Sequence, residues 1–316
     1  MRKLMFVLVL LALLAMPSAA MAGEPGNVWY VPGDFATIQE AIDSSDVAAG
    51  DTILVGPGNH AGATVTKAVE IKGEDGAIIN SGPAHPSGLA QGFRLLDGSS
   101  GAAISHLRFT ADLAIMNGAA VNNVIVTHCR FDNAIQAVSN WRGSGWEISH
   151  NTITDLRTRN GGGIGILIAD YAGGTVSDNV VAHNKISGTL HVHPNDGGGY
   201  NGSGIVLYAD FRWGWAGAEE ISYNRVVKNK VSLVSDNPIV VDVAAFELTE
   251  SYYPNSHPGL GSIVITDNSI GFNDFRGTAL QIALTPGELE TYNDISRNLG
   301  DNRGHGLHPS VFGPGG

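Results

Sequence analysis

The chain has a single cysteine, Cys129, so no disulfide can form within it and stability has to come from a packed core. Charge is scarce too, at 15% of residues, and aromatics are only 7%. Few charges beside 42 glycines leave little material for solvent-facing helices and much for tight turns, which points to an all-β chain. Basic residues are in deficit. The 18 Lys and Arg fall to 16 once Arg2 and Lys3 are set aside, against 30 Asp and Glu, a balance of −14. That excludes nucleic acid as the expected partner, because its phosphates need Lys and Arg for neutralisation. By its overall charge the chain would also repel a polyanionic glycan, unless divalent cations bridge the two. Nothing beyond Met16 is apolar for long enough to span a membrane.

The first residues read as a targeting segment. Arg2 and Lys3 precede an apolar run from Leu4 to Met16, and Ala20-Met21-Ala22 offers a small-residue cleavage site. The expectation is a signal peptide over 1–22, cleavage near Ala22, and a secreted or periplasmic product. Residues 23–316 would form a single domain, with a capping helix at about 36–45 and an irregular tail at about 300–316 that either caps the far end or marks a truncated chain.

A repeat organises the rest. ISHLRF, VTHCRF and ISHNTI begin at Ile104, Val126 and Ile148, each 22 residues after the last, with His106, His128 and His150 third. VSDNVV, ITDNSI, ISYNRV and ISRNLG continue the frame at Val176, Ile265, Ile221 and Ile295. On that alignment the histidine column continues as Asp178, Tyr223, Asp267 and Arg297, and an Asn column runs Asn151, Asn179, Asn224, Asn268, Asn298. A second Asn follows five residues later at Asn184, Asn229 and Asn273. Short β-rich runs lie between the motifs. A strand–bend–strand unit recurring every 22 to about 30 residues implies stacked parallel strands, in which each coil buries its apolar side against its neighbours. Asn suits the bends, because its amide bonds locally and tolerates left-handed backbone. The 45- and 44-residue gaps fit either one coil with a long loop or two coils. Thr37 and Glu40 stand at capping-box spacing, and Ile38, Ala41 and Ile42 form one apolar stripe, so a short helix is expected over the open end.

The stretch VPGDFATIQEAIDSSDVAAGDTILVGPGNH resembles the opening of right-handed parallel β-helix proteins of the pectin-lyase-like superfamily, through Thr37-Ile38-Gln39, Gly50-Asp51-Thr52-Ile53 and Gly56-Pro57-Gly58. The later coils resemble generic β-helix repeats. The resemblance implies an all-β, right-handed parallel β-helix with a short N-terminal capping helix. It implies function only loosely, since relatives include pectin methylesterases, polysaccharide lyases and hydrolases, alginate epimerases, NosD-type periplasmic accessory proteins and surface adhesins. The methylesterase and epimerase signatures are absent from this sequence.

Three constellations carry candidate chemistry. Asn140-Trp141, Asp170-Tyr171 and Asp210-Phe211 align after the middle strands. On neighbouring coils Asp170 and Asp210 would stand about 5 Å apart, a spacing that suits an acid beside a base, a Ca²⁺ site, or plain strand ends. In LHVHPNDGGGY, His191 and His193 share a face if extended, and Asp196 completes a possible metal set; the recurrence of His-Pro dipeptides offers a loop reading instead. Trp141, Tyr171, Tyr200, Phe211, Trp213, Trp215, Tyr252 and Tyr253 could stack on sugar rings or fold back over the flank. The histidine column is either a shared metal site or a solvated ladder that tolerates any polar residue. The leading functional expectation is an exported polysaccharide binder, with lyase or glycoside hydrolase activity left open. The alternatives are a non-enzymatic envelope, adhesive or assembly protein and a NosD-like metal-handling accessory. The expected partner is a polysaccharide or another cell-envelope component.

Overall fold

A computed structural model describes residues 26–211, 220–251, 263–306 and 309–315. The targeting segment and Trp213, Trp215, Tyr252 and Tyr253 lie outside the described residues. Among those described, the strands stack into a ten-stranded, a nine-stranded and a seven-stranded sheet, plus a short three-stranded one, and every named strand pairing is parallel. This is a parallel β-helix. In each sheet a residue of each strand turns inward at a fixed register. One such column is Ile71, Ile104, Val126, Ile148, Val181, Val226, Ile270 and Ile295, all buried. On the seven-stranded face Phe109 and Phe131 stack at 4.9 Å, with Phe93 edge-on to Phe109.

The N-terminal helix forms as the sequence predicts. Thr37 Oγ1 accepts the Glu40 N–H, and Glu40 reaches back to the Ala36 N–H at 3.0 Å. The helix, Ile38–Asp43, buries Ile38, Ala41 and Ile42 over the first coil and keeps water from the end of the core.

Both long gaps are single coils. Strand Val180–Ala182 pairs directly with Arg225–Val227, and that strand pairs with Ser269–Gly271. The single Asn column resolves into two. Asn151, Asn184, Asn229, Asn273 and Asn298 form one ladder, in which each backbone N–H and each Nδ2 donates to the next Oδ1 at 2.9–3.1 Å. Asn179, Asn224, Asn268 and Asn293 form the other. From Val176 onward three coils each add a strand of the three-stranded sheet, and with it a second Asn bend, and in the last coil the helix Leu289–Tyr292 leads into Asn293. The five-residue Asn spacing was the sequence trace of this doubling.

The C-terminal segment does more than end the solenoid. Arg303–His305 adds the last strand to the nine-stranded sheet. Residues 309–313 then run back across that sheet's outer face. Asn201 bridges to Pro309, Gly162 N–H donates to Ser310 O at 2.5 Å, and Gln136 bonds the Phe312 backbone in both directions. His85 meets Gly313 O at 2.8 Å. Val311 and Phe312 cover an apolar strip that includes Leu113, Met116, Leu167 and Val206.

The ladders generate a prediction. Asn224→Ala removes the Nδ2 donor to Asn268 Oδ1 and Val176 O and the Oδ1 that accepts the Asn179 N–H and Nδ2, leaving the buried Asn179 N–H without its acceptor. Urea unfolding should show a loss of about 3 kcal/mol, against about 1 kcal/mol for Asn298→Ala at the half-buried end. Equal, small losses at both positions would mean that the ladder does not hold the coils.

Candidate functional site

The structure places the predicted strand-end residues differently from their alignment. Trp141 pairs with Ala169, and Asp170 pairs with Ala209. Asp170 and Asp210 are therefore offset by one residue rather than side by side. The Asp170 carboxylate, fully buried, accepts backbone N–H groups from Tyr171, Ala172 and Gly174 at 2.6–3.0 Å and lies 3.6 Å from Arg142 Nε. It closes the turn that follows its strand. Asp210, 1% exposed, donates its N–H to Asp170 O and accepts from Ser251 Oγ at 3.1 Å. The aromatics do not form one column either. Trp141 packs on the outer face, with Tyr171 edge-on at 5.7 Å and Arg142 over the Tyr171 ring, whereas Phe211 is in the interior. A one-residue slip in register sends a side chain to the opposite face, as between Tyr171 and Phe211, and the sequence alone had no marker for that slip.

His191, His193 and Asp196 are not brought together. His191, at the end of strand Lys185–His191, faces Asp236 on the next coil at 3.1 Å. Asp236 is held below the usual carboxylate range, chiefly by the Val192 N–H. His193 donates its backbone N–H to Thr158 Oγ1 and accepts the Asn195 N–H. Asp196 takes the Thr158 hydroxyl and, at 2.6 Å, the Asn160 N–H. Among the described residues no group of three His, Cys, Asp or Glu side chains converges on a metal position.

Asp196 instead helps build a cleft. About 260 Å³ is enclosed by Thr158, Asn160, Asn195, Asp196, Tyr200, Val241, Ser310 and three glycines. The loop before strand Tyr200–Ala209 forms one wall, and the returning C-terminal segment forms another. Tyr200 is 45% exposed and stands at the rim. The lining is polar apart from Val241 and the tyrosine ring. Amide, hydroxyl and carboxylate groups beside one flat apolar face can hold a small polyhydroxylated ligand by hydrogen bonds and ring stacking.

Two carboxyls that sequence reading missed lie in strand Val241–Glu250, within the run AAFELTE. Glu247 sits on the outer face under Gly306, fully buried, and accepts hydroxyls from Ser203 and Thr249 at 2.6 and 2.7 Å. Burial pushes its carboxyl up to about 7, against the smaller opposing pull of those donors. Burial also raises Glu250, whose Oε1 accepts the Val264 and Ile265 N–H groups. A glutamate set between Phe246 and Leu248 was the available signal.

No protein-family model matches the chain, and no solved structure matches it. A cell surface glycoprotein of Methanothermus fervidus is 24% identical over 325 aligned positions, covering 94% of this chain and 50% of the relative. The chain spans about half the length of that relative. The fold and the cleft define a parallel β-helix with a ligand-sized polar recess on one flank.

Glu247 sets a pH signature. Its proton is held more tightly in the folded chain than at the unfolded value of 4.5, so the stabilisation is complete below about 4.5 and is lost as pH rises through about 7. Glu247→Gln should flatten the unfolding free energy across that window, removing a slope worth on the order of 3 kcal/mol. An unchanged pH profile in the variant would show that another group carries the dependence.

Proposed function

We propose that this chain is an exported cell-surface β-helix that serves as a binding or adhesive module, and that it takes a glycan in the cleft between the 193–200 loop and the C-terminal segment. The observation that carries the binding part is the cleft itself, with Asn160, Asp196 and Ser310 beside the exposed ring of Tyr200. The surface location is supported by the likeness to a cell surface glycoprotein across nearly the whole chain and by the basic-then-apolar opening of the sequence. Glycosylation of this chain is not part of the proposal. Its one Asn-x-Ser/Thr sequence, Asn201-Gly202-Ser203, lies in a strand with Asn201 1% exposed.

The proposal is binding without cleavage. Asp170 already spends its carboxylate on three backbone amides, and neither it nor Asp210 opens into the cleft.

The test is a panel of neutral and acidic glycans presented to the protein from Gly23 onward. At least one glycan should bind, and Tyr200→Ala and Asn160→Ala should each weaken it by tenfold or more. A panel without a binder, or binding indifferent to both substitutions, removes the cleft from consideration. Release of reducing ends by the native chain, lost in Asp170→Asn, would replace binding with catalysis.

A further inference from the structure

The histidine column was extended wrongly by sequence alignment, and its true course is informative. Strand register carries it from His106, His128 and His150 to His183, Lys228, Phe272 and Arg297, so Arg297 was placed rightly by the alignment, while Asp178, Tyr223 and Asp267 belong to the other bend. Four imidazoles stack face to face, with centroids 5.2, 5.1 and 4.9 Å apart and planes within 10°. All four are exposed.

Each occupies a left-handed backbone position, with φ of 54–58°. Glycine takes that conformation without cost and asparagine with little, whereas longer side chains pay for it. The same coils turn a second left-handed corner, which holds Gly101, Asn123 and Gly145 in the first three coils and Asp178, Tyr223 and Asp267 in the next three. In the first three coils, therefore, one corner uses the residues that the backbone prefers, while the other keeps imidazoles against that preference.

A second row runs beside the first. Two residues further on in each coil stand Arg108, Arg130, Thr152, Lys185 and Lys230, in register. The four cations are exposed. The acids nearby are few. Asp132 takes the Nε of both Arg108 and Arg130, Asp75 lines a shallow groove with His106 and His128, and Asp274 is held by Arg276. A chain of net charge −12 has thus gathered cations and imidazoles into one straight ridge. At a rise of roughly 4.8 Å per coil, five coils make a ridge about 20 Å long.

A metal is a poor fit, because parallel stacked rings point their in-plane nitrogens side by side instead of at a common centre. A linear anion fits better. We propose that the ridge is a binding surface for a linear phosphate polymer, laid along the solenoid axis so that imidazole, guanidinium and ammonium groups of successive coils donate to successive phosphate oxygens. Asp132 already supplies carboxylate to both arginines, so an incoming carboxylate would compete with an equal already in place; a phosphate brings more acceptor oxygens to the remaining donors. Nucleic acid is disfavoured because the imidazoles already stack on one another and the exposed ring that follows Lys228 in the column, Phe272, is already covered by Arg297. The ridge does not use the glycan cleft, and the two proposals fail separately.

The experiment is titration of the full chain with long-chain inorganic polyphosphate at several salt concentrations. Affinity should fall steeply with salt, and K185Q/K230Q should weaken it by tenfold or more and make the salt dependence shallower by roughly two in slope. The quadruple variant H106N/H128N/H150N/H183N should also lose tenfold or more, with Tm unchanged or raised, since asparagine suits these corners. A lower Tm with unchanged affinity would mean that the stack serves the fold alone, and would overturn the proposal. So would no binding at low salt, or equally tight binding of polygalacturonate or poly(dT) at matched charge. Should the quadruple variant not fold, the two exposed lysines still decide the matter.

Discussion

Everything in this molecule depends on buried amides that have nowhere else to turn. An Asn side chain inside a bend, cut off from water, must find partners for two donors and an acceptor, and most of those it finds belong to the adjacent coils. Asn224 therefore bonds Asn179 below it and Asn268 above it, in both backbone and side chain. A slip of one residue would break every rung at once. The apolar columns alone would tolerate some sliding, because Ile, Val and Leu exchange places at modest cost. The polar ladders do not, and they are what hold Ile148 over Val181 and His150 over His183.

Much of the fold was legible because it repeats. Seven copies of one frame, the capping-box spacing of Thr37 and Glu40, and the short strands between motifs were enough for a parallel solenoid. What the frame hid was that a coil can hold two copies of it. VSDN and VAHN both sit in one coil, and only the hydrogen bonds show which of Asn179 and Asn184 continues Asn151. The candidate site was less legible for a related reason. Asp170 and Asp210 look equivalent in the sequence, each ending a β-rich run and preceding an aromatic residue. The strands carrying them differ in where pairing stops, and no local feature encodes that. Tyr200 and Asp196 were named from the sequence, but the wall opposite them is Ser310, more than a hundred residues away and visible only after the chain folds back.

Charge tells a similar story. The acidic total suggested a chain that repels any polyanion, and as a sum it is correct. A solenoid, however, converts a residue every coil into a line of residues in space, so a handful of cations at the right period becomes a continuous feature that the total conceals. Composition measures the mean field, while function follows its local departures.

The segment from Pro309 to Gly313 changes the mechanics of the molecule. A stack of coils touches only nearest neighbours, and under load such an array can peel one coil at a time. Here His85 is tied to Gly313 across 228 residues of sequence, with Gln136 and Gly162 as further anchor points between. Coils that a solenoid leaves independent are thereby joined by one strap, and the first third of the stack cannot part from the last without breaking it.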